Sequence, residues 1–246
     1  MHIKKLYLFC IVSFLSIYLE STTIERVTYS AWNKADVELL YVLPSEINND
    51  TKVLFIIHGG SRNADKYLSL WLDDAKNKNV ILVAPHFKKE EHPYYQTLGM
   101  STFSGKSIKN EESWLKDSIA RFYSFFKNKH NLSSDNYLIY GFSGGSQFVH
   151  RYLMYGSDRS IEKAAIGSAG WYTFIQNKPY PYGIKNKPLE PGRVEWLMSS
   201  EVLFLLGDKD NDSNHSSLNN SKGAILQGSN RFDRGNNYFN HLIEIG

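Results

Sequence analysis

The sequence predicts an α/β protein, with a mostly parallel sheet covered by helices on both faces. Three observations carry that prediction. Six apolar runs of strand length are continuous rather than alternating, as expected for strands buried on both faces. Segments with helical spacing of apolar residues fall between them, which implies crossover connections and a doubly wound sheet. Four of the runs end in turns rich in Gly, His or Asp, and in such sheets the reactive loops gather at the carboxyl ends of the strands.

Taken in order, residues 1–21 read as a signal peptide. A short basic start precedes the uncharged apolar run 6–19, which is too short for a comfortable membrane span, and the chain turns polar at 20–23. The expectation is a secreted or periplasmic protein with no stable membrane association once this segment is removed, with an uncleaved N-terminal anchor as the alternative. Cys10, the one cysteine, lies inside it, so the remainder has no disulfide and relies on its core. Residues 22–246 carry no linker, repeat or low-complexity block and read as one domain. Its strands are predicted at 37–43, 53–60, 80–87, 137–142, 163–170 and 202–208. One helix is predicted over 64–77 and another over 112–129, where Leu115, Ile119, Phe122 and Phe126 recur at helical spacing. A third starts directly after Ser143, and a fourth runs through about residue 242. A net charge of +3 with both signs interspersed argues against a nucleic-acid partner.

The chemistry centres on Gly-Phe-Ser-Gly-Gly at 141–145, between a predicted strand and a predicted helix. In that context the pattern describes a nucleophile elbow. Ser143 is held clear of the sheet, and the Gly144 N–H points to where an oxyanion forms, close to the positive end of the helix. The pattern alone is weak. A glycine-rich turn that merely packs tightly is the plain alternative, and a phosphate-cradling loop lacks its lysine. His58-Gly59-Gly60 ends an earlier strand, where Gly60 is placed to give a second oxyanion N–H and His58 reads as a structural histidine. The run 202–212 offers Asp208, Asp210 and Asp212, of which Asp210 has the spacing of a carboxylate just past the strand, able to orient an imidazole.

The elbow, His-Gly-Gly-Ser-Arg-Asn at 58–63 and Gly-Asp-Lys-Asp at 207–210 resemble the α/β-hydrolase superfamily. With 85–87, 94–99, 168–174, 179–183 and 227–235 added, the chain is similar to secreted bacterial polyhydroxybutyrate depolymerases and feruloyl esterase-like serine esterases. The resemblance runs from about 52 to 240. It implies Ser143 as nucleophile, Gly60 and Gly144 as oxyanion donors, Asp210 as acid, a small-molecule or polymeric ester substrate, and no metal or organic cofactor. It also implies the chain order serine, acid, histidine. After Asp210 only His215 and His241 remain. His215 reads as a solvated loop residue. His241 lies at a workable distance but on the last predicted helix. The expectation is therefore an α/β-hydrolase fold that lacks its last strand and histidine loop, with the base beyond residue 246 and His241 as the fallback.

The aromatic segment 171–196, led by Trp171 and Tyr172, and the loop 86–99 are candidate walls of the substrate pocket. His150 reads as a packing residue, and no histidine or carboxylate cluster has metal-ligand spacing. A serine esterase is the function these residues imply. A secreted serine peptidase on the same fold and a non-catalytic binding protein on a hydrolase scaffold are its rivals.

Overall fold

The computed structural model describes residues 23–246, so the expected leader at 1–21 lies outside the described residues. Among those described, no helix is long and apolar enough to cross a membrane. Seven strands form one sheet: β1 (Glu25–Tyr29), β2 (Val37–Val42), β3 (Lys52–Ile57), β4 (Val80–His86), β5 (Tyr137–Phe142), β6 (Ile161–Gly167) and β7 (Glu201–Leu205). Their spatial order is β1-β2-β4-β3-β5-β6-β7. β4, β3, β5, β6 and β7 run parallel, while β1 and β2 add antiparallel at one side.

The six expected strands are all present, several ending earlier where the chain leaves the sheet. β1 was not expected. Its sequence alternates and is largely exposed, so it gives no continuous apolar run.

Period-two alternation divides the core. Val53, Phe55 and Ile57 of β3 join the large cluster on one face, and Ile56 joins the smaller cluster on the other. The large cluster lies under α3 (Ser118–His130), α4 (Gly144–Tyr155) and α7 (Arg231–Ile245), with α5 (Arg193–Ser199) contributing Leu197. The smaller cluster lies under α1 (Ala64–Ser69) and α2 (Leu72–Ala75). The expected single helix over 64–77 is thus broken at Leu70–Trp71, where the Trp71 indole packs 5.0 Å from the Tyr140 ring. α3 starts at Ser118 rather than 112. Residues Glu111–Ser113 make one 3-10 turn, and the Leu115 N–H is drawn to the Leu98 carbonyl instead of a helical partner. A short α6 (Lys222–Ile225) precedes α7.

The chain passes from β3 to β4 on one side, then returns to the other side of β3 to form β5. This reversal opens a crevice at the carboxyl ends of β3 and β5. His58–Gly60 and Ser143 follow those two ends. At the far edge β7 pairs with β6 alone among the described residues, and Leu203 and Leu205 on one of its faces are 57% and 43% exposed.

Candidate active site

Ser143 joins β5 to α4 with φ 54° and ψ −114°, a conformation that costs an L-residue strain. The surrounding glycines are required by close approach. A Cβ on Gly145 would lie 2.0 Å from the Ile57 carbonyl oxygen, so only glycine lets α4 pass this close to β3. The Ser143 N–H donates to the Gly167 carbonyl at 2.8 Å, which fixes the turn against β6. Its side chain caps nothing and is half-buried.

Gly144 is the first residue of α4, so its N–H has no carbonyl one turn earlier to bond. A Cβ on Gly144 would stand 2.8 Å from the Gly60 nitrogen, so the two backbone donors are neighbours beside Ser143. That pairing, at the positive end of a twelve-residue helix, is what stabilising an oxyanion requires.

Two fully buried histidines brace the loops around the serine. The Phe87 N–H donates to His58 Nε2 at 3.1 Å, which leaves Nδ1 protonated and donating to the Gly59 carbonyl at 2.9 Å. Burial holds the His58 imidazole down to about 4 from its ordinary 6.5, so it stays neutral. His150 repeats the arrangement, taking the Thr173 N–H on Nε2 at 3.0 Å and facing the Ser146 carbonyl with Nδ1 at 2.9 Å. Burial lowers its pKa as well, well below the ordinary value. Tyr95 donates its hydroxyl to the His58 carbonyl at 2.8 Å, and Arg62 ties the 58–63 loop to the carbonyls of His92 and Pro93.

The loop after β7 brings Asp210 onto the open cleft that Ser143 lines. Its Oδ1 accepts from Arg231 Nη1 at 2.8 Å, and Arg231 Nη2 donates to Ser217 Oγ at 2.7 Å. His215 lines the same cleft. Its Nδ1 accepts from the Ser217 N–H at 3.2 Å. Asp210 is therefore held by a guanidinium rather than an imidazole, and among the described residues no hydrogen bond links Ser143 Oγ to a histidine.

Three expected site residues lie elsewhere. His241 sits on α7 with its ring 5.1 Å from Phe174, away from the Ser143 cleft, because the helix turns that face toward the core. Trp171 is only 3% exposed, held between the Arg151 guanidinium and the Tyr182 ring. Tyr172 is fully buried, stacked 4.5 Å from Tyr238. Both aromatics are core rather than pocket wall, since the segment folds back over α4 and α7. Sequence reasoning missed Arg231 altogether, because nothing local marks a partner 21 residues from Asp210. It set His215 aside for its polar surroundings.

Comparison with solved structures supports the same architecture. A poly(aspartic acid) hydrolase-1 from Sphingomonas sp. KT-1 superposes with a TM-score of 0.83 at 28% identity, over 91% of this chain and 86% of that one. This protein has the α/β-hydrolase fold. A poly(3-hydroxybutyrate) depolymerase from Bordetella parapertussis matches this chain with a TM-score of 0.82 at 22% identity, over 91% of this chain and 78% of that one. No protein-family model and no curated protein matches the chain. Among the described residues, no cluster of three or more His, Cys, Asp or Glu could hold a metal ion.

Proposed function

We propose that this α/β-hydrolase is a serine hydrolase acting on acyl esters, with Ser143 as nucleophile. The observation that carries the reading is the strained Ser143 turn set against the neighbouring Gly60 and Gly144 nitrogens. Ser143 Oγ attacks the ester carbonyl carbon, and the carbonyl electrons move onto oxygen, where the two N–H groups stabilise them. The tetrahedral species collapses as the ester C–O bond breaks, and the departing alkoxide takes a proton. Water then repeats the sequence on the acyl-enzyme. The Ser143 hydroxyl proton passes to a base and from it to the departing alkoxide; Asp210 would orient an imidazole in that role, a partner its ion pair with Arg231 does not supply among the described residues.

The two structural relatives are named for poly(aspartic acid) and poly(3-hydroxybutyrate), a polyamide and a polyester. An oligomeric or polymeric acyl chain is accordingly the proposed substrate, met outside the cytoplasm. Esters are favoured because a serine nucleophile expels an alkoxide more readily than an amide nitrogen.

The Arg231–Asp210 ion pair favours a second reading, a binding protein on a hydrolase scaffold. Without an imidazole partner Ser143 stays a weak nucleophile, and loss of one triad member costs roughly four to six orders of magnitude in rate. Labelling with a fluorophosphonate separates the two. Labelling that disappears in Ser143→Ala supports the hydrolase, while a folded, unlabelled protein supports the binder. Parallel ester and amide panels then test the substrate, and cleavage of amides alone would overturn the ester assignment.

A further inference from the structure

The loop 86–99 brings one more polar group to the oxyanion glycines, from a turn built rigidly enough to position it. Residues Tyr95–Thr97 form a single 3-10 turn. Its first residue is fixed by the Tyr95 hydroxyl on the His58 carbonyl and by the Arg62 guanidinium stacked 4.5 Å from its ring. The Gln96 carbonyl accepts from Nη1 of the fully buried Arg151 at 2.9 Å. The Gln96 side chain therefore leaves a backbone that is tied on both sides.

Its carboxamide is aimed at Gly60. The vacant Cβ position of Gly60 meets Gln96 Nε2 at 4.0 Å, and apart from Gly60 and its two chain neighbours no other heavy atom comes within that distance. Covalent geometry separates a residue's nitrogen from its own Cβ by about 2.5 Å, so Gln96 Nε2 lies at most about 6.5 Å from the Gly60 nitrogen. Two hydrogen bonds of about 2.9 Å to one oxygen span at most about 5.8 Å. A rotation of the Gln96 side chain that closes this gap would bring Nε2 and the Gly60 N–H onto the same oxygen.

The other end of the amide carries a second, independent mark. Gln96 Oε1 is buried and no described protein group donates to it. A buried acceptor left unpaired costs stability, and native structures concentrate such groups where function requires the orientation.

We infer that Gln96 is a third oxyanion donor, adding its Nε2–H to the backbone N–H groups of Gly60 and Gly144. The assignment rests on the reading of Ser143 as the nucleophile. It gives this site a side-chain donor from outside both glycine loops.

The test is the second-order rate constant for fluorophosphonate labelling of Ser143, in which the Oγ–P bond forms, the P–F bond breaks, fluoride and the Oγ proton leave to solvent, and the phosphoryl oxygen enters the oxyanion hole. Thermal melting is recorded beside it. Removing one oxyanion donor costs on the order of 100-fold in rate, so Gln96→Met should label at least about 10-fold more slowly. The same variant should melt no lower than the wild type, because it removes an unpaired buried oxygen. Gln96→Leu serves as a second variant, with the same expectation. A merely structural Gln96 gives the opposite pair of results, a lower melting temperature with an unchanged labelling rate, and that would overturn the assignment. A wild type that is folded but unlabelled overturns the hydrolase reading and this inference with it, whereas a labelled wild type with equally fast Gln96 variants overturns the inference alone.

Discussion

Acidification should loosen this protein through His58 before the carboxylates matter. The imidazole is fully buried, takes the Phe87 N–H on Nε2 and gives its one proton to the Gly59 carbonyl. A second proton on Nε2 would turn that acceptor into a donor facing another donor, in a site that does not solvate charge. The imidazole's folded value of about 4 lies below the ordinary 6.5, so the folded state resists the proton that the unfolded chain accepts. The stabilisation is accordingly complete above pH 6.5 and is lost as the pH falls toward 4. At about 1.4 kcal/mol per tenfold change in proton affinity, the loss amounts to about 3 kcal/mol. With a urea dependence of about 3 kcal/mol per molar, the midpoint should fall by about 1 M from this group. The comparison is urea unfolding at pH 7 and pH 4, followed by tryptophan fluorescence, for the wild type and His58→Gln. Glutamine keeps a donor and an acceptor but does not titrate. The variant should be less stable at pH 7 and lose about 1 M less on acidification. His150 adds to the acid loss and Asp158, whose carboxyl pKa burial raises, opposes it, but both are common to the two proteins. Identical losses in wild type and variant would refute the reasoning.

Two substitutions at the elbow have opposite expected effects on stability. Gly145→Ala drives a Cβ into the Ile57 carbonyl, which is backbone in a central strand and cannot move aside, so a loss of more than about 3 kcal/mol is expected in denaturant unfolding. Ser143→Gly relieves a residue held at φ 54°, so the melting curve should shift upward by the equivalent of about 1 kcal/mol while labelling is abolished.

The parts of this molecule legible in the sequence are those that local chain properties control. The buried parallel strands read as continuous apolar runs because both of their faces meet helices. The elbow was visible because backbone crowding at one turn demands glycine at fixed offsets from Ser143, as the 2.0 Å approach at Gly145 shows. Asp210 stands out in the sequence by its distance past the end of a strand. β1 escaped because a five-residue strand that is largely exposed offers no continuous apolar run, and the bend at Leu70–Trp71 escaped because tertiary packing of Trp71 on Tyr140 outweighs helical spacing.

Which side chains meet was settled only by the packed fold. Trp171 and Tyr172 carry the composition of a pocket wall, yet the path of the chain after β6 buries them beneath Tyr182 and Tyr238. His241 follows Asp210 at a workable interval, but α7 turns it toward Phe174. Arg231 reaches Asp210, and Gln96 reaches Gly60, across separations that no local pattern records. Sequence by itself determined the backbone's local conformations and which faces are apolar, since these follow from short-range sterics and hydration. The neighbours of each polar group depend on how those faces close over one another, and only the tertiary structure decided them.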